Sequence, residues 1–270
     1  MLEIYNACKT FNPRTPNAVF ALQGVNLIVE PGSFVCVIGT NGSGKSTLLN
    51  AIAGTFGLDT GSVRIDGSDV THWPEHRRAS FIGRVFQNPF TGTAAGMTIA
   101  ENIVLALRRG QSRGLRLALN RNLRNEIKGR VRRLNLGLEE RLDDSIGTLS
   151  GGQRQALTLL MATWIKPRLL LLDEHTAALD PKSAKQIVTL SREIIERDNL
   201  TTIMVTHSMQ QAVQLGDRLI MMHQGRIISD YRGEDKKRIL TNELNETFEM
   251  VRRLDQLDES AAELLARSYV

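Results

Sequence analysis

Phe34-Val35-Cys36-Val37-Ile38-Gly39-Thr40-Asn41-Gly42-Ser43-Gly44-Lys45-Ser46-Thr47-Leu48-Leu49-Asn50-Ala51-Ile52 is the stretch that decides the fold. An apolar, β-branched run enters a glycine-rich loop, and a helical pattern leaves it. Between them, Gly39 to Ser46 fills every position of the G-x-x-x-x-G-K-[ST] pattern. The glycines let the backbone curl so that N–H groups converge on phosphate oxygens, and the following helix adds its positive N-terminal dipole at the same point. Lys45 can reach the β- and γ-phosphates of a nucleotide, and the Ser46 hydroxyl can ligate Mg2+. A glycine-rich turn without a ligand is the poorer reading, because every motif position is filled and both flanks are correct.

Outward from this loop, strand signals recur at Val25–Val29, Ser62–Ile65, Phe81–Phe86, Leu169–Asp173, Thr202–Thr206 and Arg218–Met222. Helical patterns lie between many of them, at Lys45–Ala53, Gln153–Ile165 and Lys182–Arg197. Asp180 and Pro181 supply a cap and a first-turn proline for the last of these. Strands alternating with helices predict an α/β fold with a mostly parallel sheet and helices on both faces. Leu169-Leu170-Leu171-Leu172-Asp173-Glu174 reads as a buried strand that ends in two carboxylates. The C-terminal edge of such a sheet is where ligands bind. There Asp173 would hold Mg2+ through its water shell, and Glu174 would polarise the water that attacks the γ-phosphate.

Composition removes several classes. The apolar and charged fractions, 41% and 23%, are those of a globular protein, neither disordered nor fibrous. No run approaches the roughly 18 to 20 apolar residues that a bilayer-spanning helix needs. The opening Met1-Leu2-Glu3-Ile4 is not that of a signal peptide. A role at a membrane would therefore require another chain as anchor. Cys8 and Cys36 have neither metal-ligand nor disulfide spacing. The net charge of +5 is unevenly placed. From about residue 99 to 142 there is little strand signal, and Arg108, Arg109, Arg113, Arg116, Arg121, Arg124, Lys128, Arg130, Arg132 and Arg133 are opposed within their own run only by Glu126. This reads as an inserted helical lobe, at about 92–160. After Gly233 an acidic, amphipathic pattern follows, with Leu244, Phe248, Val251, Leu254 and Leu257 at three- and four-residue steps, so 234–270 is expected to be a helical tail.

Leu149-Ser150-Gly151-Gly152-Gln153 completes a motif set. With the phosphate loop before it and the Asp173-Glu174 strand after it, the chain resembles the ATP-binding cassette (ABC) family over roughly residues 2 to 232. Ser150, Gly151 and Gly152 can offer a hydroxyl and bare N–H groups at a helix N-terminus, which is a second anion site. The resemblance implies a P-loop NTPase core with an N-terminal antiparallel β subdomain and the inserted lobe, residues 1–233 forming one ATPase domain. It implies ATP and Mg2+, held by Gly39, Thr40, Asn41, Gly42, Ser43, Gly44, Lys45, Ser46 and Thr47. It further implies a head-to-tail dimer in which Ser150, Gly151, Gly152 and Gln153 of one copy close over the ATP of the other. By the same resemblance, Gln87 matches the lid glutamine that senses Mg2+, His207 the switch histidine at the γ-phosphate, and Phe11 the ring that stacks on adenine. Ala178-Leu179-Asp180 matches the loop crossing the dimer interface. His175 stands where the family most often has proline and is read as a tolerated turn residue, Ala177 replaces a common serine, and Phe11 replaces the usual tyrosine.

A cassette without a fused membrane domain resembles the ATPase subunits of uptake systems, peripheral to the cytoplasmic face of the membrane and held by permease subunits, with a solute-binding protein beyond. The opening Leu2 to Phe11 and the basic insert look most like cassettes paired with permeases of the branched-chain amino acid type, so an amino acid or similar small organic solute is expected. The basic insert admits lipid headgroups and a permease, a plain solvated face, or nucleic acid. It lacks base-stacking aromatics, which counts against the last. The rival functions are a soluble cassette in DNA repair or translation, whose usual second cassette or long coiled-coil insertion 270 residues leave no room for, and an exporter motor.

Overall fold

The computed structural model describes residues 1–109, 120–244 and 246–250. Within these residues the chain runs β1 (Leu2–Phe11), β2 (Val19–Val29), β3 (Phe34–Gly39), α1 (Lys45–Ala53), β4 (Thr60–Ile65), β5 (Ser68–Asp69), α2 (Glu75–Arg78) and β6 (Ile82–Val85). It continues through α3 (Ile99–Leu107), α4 (Arg121–Arg132), α5 (Gly151–Thr163), β7 (Leu169–Asp173), α6 (Pro181–Asp198), β8 (Thr202–Val205), α7 (Met209–Gln214), β9 (Arg218–His223), β10 (Arg226–Arg232) and α8 (Gly233–Arg238). Among the described residues the strands form a six-stranded sheet, order β10-β9-β3-β8-β7-β6, and a four-stranded sheet, order β2-β1-β4-β5. The larger sheet is parallel except for β10, and the smaller is antiparallel throughout. The expected α/β architecture with an antiparallel N-terminal sheet is therefore present.

The period-two alternation of a strand explains the layering. Val35 and Val37 of β3, Leu169 and Leu171 of β7, and Ile203 and Val205 of β8 enter a core shared with α1 and the antiparallel sheet. Phe34, Cys36 and Ile38, Leu170 and Leu172, and Met204 face the opposite core, beneath α6 and α7. Both faces are apolar because both are covered, as in other parallel sheets. Each fully buried Leu or Ile here contributes about 1.5 to 3 kcal/mol. A third core is built by α3, α4 and α5, which form the helical lobe.

One buried arginine fixes the helix behind the phosphate loop. Arg78, 2% exposed, donates from Nη1 to Ala51 O at 2.7 Å and Ile52 O at 2.8 Å, from Nη2 to Thr71 O at 2.9 Å, and from Nε to Trp73 O at 3.0 Å. It satisfies carbonyls that the C-terminus of α1 leaves without helical partners.

The basic insert is less bare than its sequence. Arg124 pairs with Asp143 at 2.5 Å, Lys128 with Glu140 at 2.7 Å, Arg130 with Glu126 at 3.0 Å and Arg132 with Glu139 at 3.8 Å. Three of these four acids lie beyond the run and fold back onto α4. Arg113 and Arg116 lie outside the described residues. Of the tail, Ile239 and Leu244 are buried against the core under α6, and Phe248 packs on it. Buried Lys236 donates to the Val213 carbonyl. Val251, Leu254 and Leu257 lie outside the described residues. Among the described residues no helix is long and apolar enough to cross a membrane.

Candidate ATP site

The phosphate loop follows β3 directly into α1. Gly44, the residue before the helix, has φ 97 and offers no side-chain cap. A Cβ there would stand 2.4 Å from the Ala21 carbonyl oxygen, so the left-handed conformation and the close approach of β2 both require glycine. The first N–H groups of α1 are thus left for a ligand, which is the condition that fits a phosphate. Lys45 is 5% exposed. Its Nζ donates to Gly39 O at 3.0 Å and Thr40 O at 2.8 Å, and lies 3.4 Å from Ser43 Oγ. Burial lowers its pKa from the ordinary lysine value, and the carboxylates of Glu174 and Asp173 work in the opposite sense. The ammonium therefore belongs electrostatically to the same site as both acids.

Strand register places those acids. Asp173 pairs with Val205 at the C-terminal ends of β7 and β8, and the Glu174 amide donates to Val205 O at 3.0 Å. His207, two residues past Val205, brings Nε2 to 2.5 Å from Glu174 Oε1. Glu174 adopts φ 45, a left-handed conformation costing roughly 1 kcal/mol or more outside glycine, so the turn is held by what surrounds it. His175 is fully buried and its pKa is pushed down to about 4 by loss of hydration. Its Nε2 lies 3.0 Å from Ser191 Oγ, and that hydroxyl donates to Ile187 O at 2.8 Å. The histidine is therefore the donor of the pair, neutral with its proton on Nε2. It ties the turn after Glu174 to α6.

Two residues that were not expected take part. Arg84 of β6 lies opposite Leu171 of β7 and places Nη2 3.4 Å from Asp173 Oδ2. Gln155 of α5, with no exposed surface, donates from Nε2 to Phe86 O at 3.0 Å and to His175 O at 2.7 Å. The first carbonyl belongs to the residue before Gln87, and the second to the residue after Glu174. A polar residue in the middle of a helical pattern carries no sequence signal of this kind.

The remaining expected residues occupy separate places. Gln87 is exposed and follows the end of β6 at the same sheet edge. Phe11 pairs with Val19, two residues along β2 from Ala21, and packs edge-on to Phe56 at 5.3 Å. Ser150 caps α5: its Oγ accepts from the Gln153 amide at 3.2 Å, and Gln153 Oε1 accepts from the Ser150 amide at 3.2 Å. Gly151 lies against Leu179, and a Cβ on Gly152 would stand 2.7 Å from Ser183 Oγ, so this turn is seated on the start of α6. Ser46 and Thr47 lie in the first turn of α1, and Thr40, Asn41 and Gly42 in the loop that precedes it. Chemically, the arrangement gathers a buried ammonium and a helix N-terminus with two carboxylates and an imidazole at one edge of the sheet, a donor set that suits a phosphorylated ligand.

The profile of the ABC transporter family matches residues 22–177. The chain is 42% identical over 251 residues to a tyrosine transport ATP-binding protein of Clostridioides difficile, covering 92% of this chain and 99% of the relative. It is 36% identical to the sulfate/thiosulfate import ATP-binding protein CysA of Mycobacterium tuberculosis, where the match covers 77% of this chain and only 56% of the relative. Among solved structures, the dimeric post-hydrolysis state of the cassette MJ0796 bound to ADP and phosphate has a TM-score of 0.73 at 29% identity, covering 86% of this chain and 98% of that one. The ADP conformation of the cassette MJ1267 has a TM-score of 0.73 at 28% identity, covering 89% and 94%. These matches show that the chain belongs to the ABC transporter family, as one of its ATPases.

Proposed function

We propose that this chain is the ATP-hydrolysing subunit of an importer for an amino acid, with an aromatic amino acid such as tyrosine the first solute to test. The observation that carries this reading is the near full-length likeness to a tyrosine transport ATP-binding protein. Two copies close head to tail, each phosphate loop meeting the Ser150–Gln153 turn of the other. The self-capped turn supports this, because it is exposed at Ser150 while Lys45 gathers with the acids of its own chain. Mg2+, supported by Ser46, Asp173 and Gln87, would neutralise charge on the phosphates. Glu174 takes a proton from the attacking water as the water oxygen bonds to the γ-phosphorus and the bond to the β-phosphate oxygen breaks. His207 holds that carboxylate and, in this reading, would contact the γ-phosphate.

Permease subunits would hold the pair at the cytoplasmic face of the membrane, served by a solute-binding protein. A groove of about 1230 Å3 between the sheet edge and the helical lobe is the place proposed for a permease segment. Its walls combine apolar Ile82, Phe86 and Leu105 with Arg77, Arg108 and Arg109. A nucleic-acid role is disfavoured by the ion pairing that occupies much of α4.

Glu174→Gln should abolish turnover by about 100- to 10,000-fold while trapping an ATP-bound dimer, read by light scattering. A variant that binds ATP normally yet stays monomeric sinks the head-to-tail mechanism. Co-purification with a multi-span permease, and ATP-dependent tyrosine uptake by that complex, test the importer. Stable association with ribosomes or DNA instead would remove it.

A further inference from the structure

The groove and the metal-binding carboxylate share one side chain. Arg84 and Phe86 both line the groove. Parallel pairing sets Arg84 opposite Leu171, so Asp173 is its diagonal neighbour on the same face of the sheet. Besides Asp173, the Arg84 guanidinium meets Asn50 Oδ1 of α1 at 2.6 Å and Thr55 Oγ1 at 3.4 Å, and it stacks 4.5 Å from the centre of the Phe86 ring. The side chains of Arg84 and Asp173 are only 12% and 14% exposed. The Arg84 Nε is buried and has no acceptor among the described residues.

A guanidinium so placed does two opposed things. It holds Asp173 in one orientation, and its charge competes with a divalent cation for the same carboxylate. Its 3.4 Å contact with Asp173 is long for a charge-assisted bond, for which about 2.7 to 2.9 Å is usual. The contact is therefore weakly held, and the orphaned Nε gives the guanidinium a reason to move toward a new acceptor. The groove supplies the direction. Arg77, Arg84 and Arg109 face it against Glu75, so its charge suits an occupant with an acidic side chain.

We propose that Arg84 is a positioning residue that restrains Asp173 until an acidic side chain of a permease segment in the groove draws the guanidinium away, coupling permease docking to metal occupancy. The second half rests on the proposed permease reading, and the first does not.

The test uses the purified full chain loaded with a non-hydrolysable ATP analogue, with Mn2+ binding read by electron paramagnetic resonance. Arg84→Met should lower the half-saturating Mn2+ concentration roughly three- to tenfold, because a competing charge is gone. Arg84→Lys, which keeps the charge, should stay within about twofold of the parent. Arg84→Gln, uncharged but still a donor, takes the place of Arg84→Met if that variant does not fold. Unchanged or weaker Mn2+ binding in the uncharged variants overturns the restraint. In the complex with its co-purified permease, the stimulation of ATPase over the free chain should fall toward unity for Arg84→Met. A stimulation ratio equal to the parent's overturns the coupling. If no permease binds at all, the importer reading fails, while the Mn2+ measurement still decides the restraint.

Discussion

The turn that carries Glu174 and the turn that carries Ser150 are both short, and both are proposed to meet the same γ-phosphate from opposite sides. They are held by different means. The Glu174 turn is fixed from within: its amide bonds to β8, His207 meets its carboxylate, and His175 and Gln155 anchor the backbone just after it. The Ser150 turn is exposed and fixes itself by reciprocal capping with Gln153, resting on α6 through Gly152. A group that acts within its own chain can be oriented by a buried sheet. A group offered to another copy must stay on the surface, where local capping is the available source of rigidity.

Mixing two inactive variants can break this comparison, and it carries the largest expected effect. Lys45→Ala removes the cation proposed to hold the phosphates, and Gly152→Ala drives a Cβ into Ser183, which a glycine there avoids. Each alone should cost about 100-fold or more in turnover, since each disables a half-site at both ends of a symmetric dimer. A mixed dimer instead pairs the intact phosphate loop of one copy with the intact turn of the other, restoring one site in two. An equal mixture should recover roughly a quarter of the parental activity by this symmetry argument. Tagged mixed dimers that form and remain inactive would show that the two turns do not share a nucleotide.

A smaller effect is expected at the one residue linking the two regions. Gln155 lies five residues after Ser150 and bonds to the carbonyls beside Gln87 and Glu174. Gln155→Leu leaves the buried His175 carbonyl and the part-buried Phe86 carbonyl without that donor, at a stability cost of about 1 to 3 kcal/mol. Turnover should drop about tenfold with little change in ATP affinity, because the base turn loses its anchor while the phosphate loop keeps its own. Chemical denaturation and steady-state kinetics read the two effects separately. An unchanged turnover would mean that the base turn is held by the sheet alone.

The phosphate loop, the Asp173-Glu174 strand end and most of the parallel sheet were legible because each is a local pattern: a motif, an apolar run, a cap. What was not legible depends on register. Arg84 meets Asp173 only because β6 and β7 pair with Arg84 opposite Leu171, and a shift of one residue would turn Arg84 to the other face. His175 was read as a tolerated turn residue, yet it bonds to Ser191, sixteen residues on and across a helix. β1 was missed as a strand in its own right, since Asn6 with φ 46 interrupts its alternation with a register shift. The ion pairing of the basic insert is not legible for a related reason, because Glu139, Glu140 and Asp143 return to α4 only in the folded chain.

The smallest predicted effect sharpens the difference between the two turns by pH. His175 is neutral in the fold, with a pKa pushed to about 4, against about 6.5 when hydrated in the unfolded chain. The unfolded state therefore binds the extra proton first as pH falls, so this group's contribution is intact above about pH 6.5 and is lost progressively down to about pH 4. At pH 4.5 the loss is about 2 to 3 kcal/mol, which in a chain of this size lowers Tm by roughly 5 to 10 °C. His175→Gln keeps a donor for Ser191 but cannot titrate, and His175→Pro removes both donor and charge. In either variant the drop in Tm between pH 7.5 and 4.5 should shrink by that amount relative to the parent. The Ser150 turn contains no titrating group, so Ser150→Ala should lower Tm by a similar small step at both pH values, the mark of a lost cap worth about 1 kcal/mol. A pH dependence that survives unchanged in His175→Gln would place the acid sensitivity elsewhere and leave the His175–Ser191 bond without a part in holding the base turn.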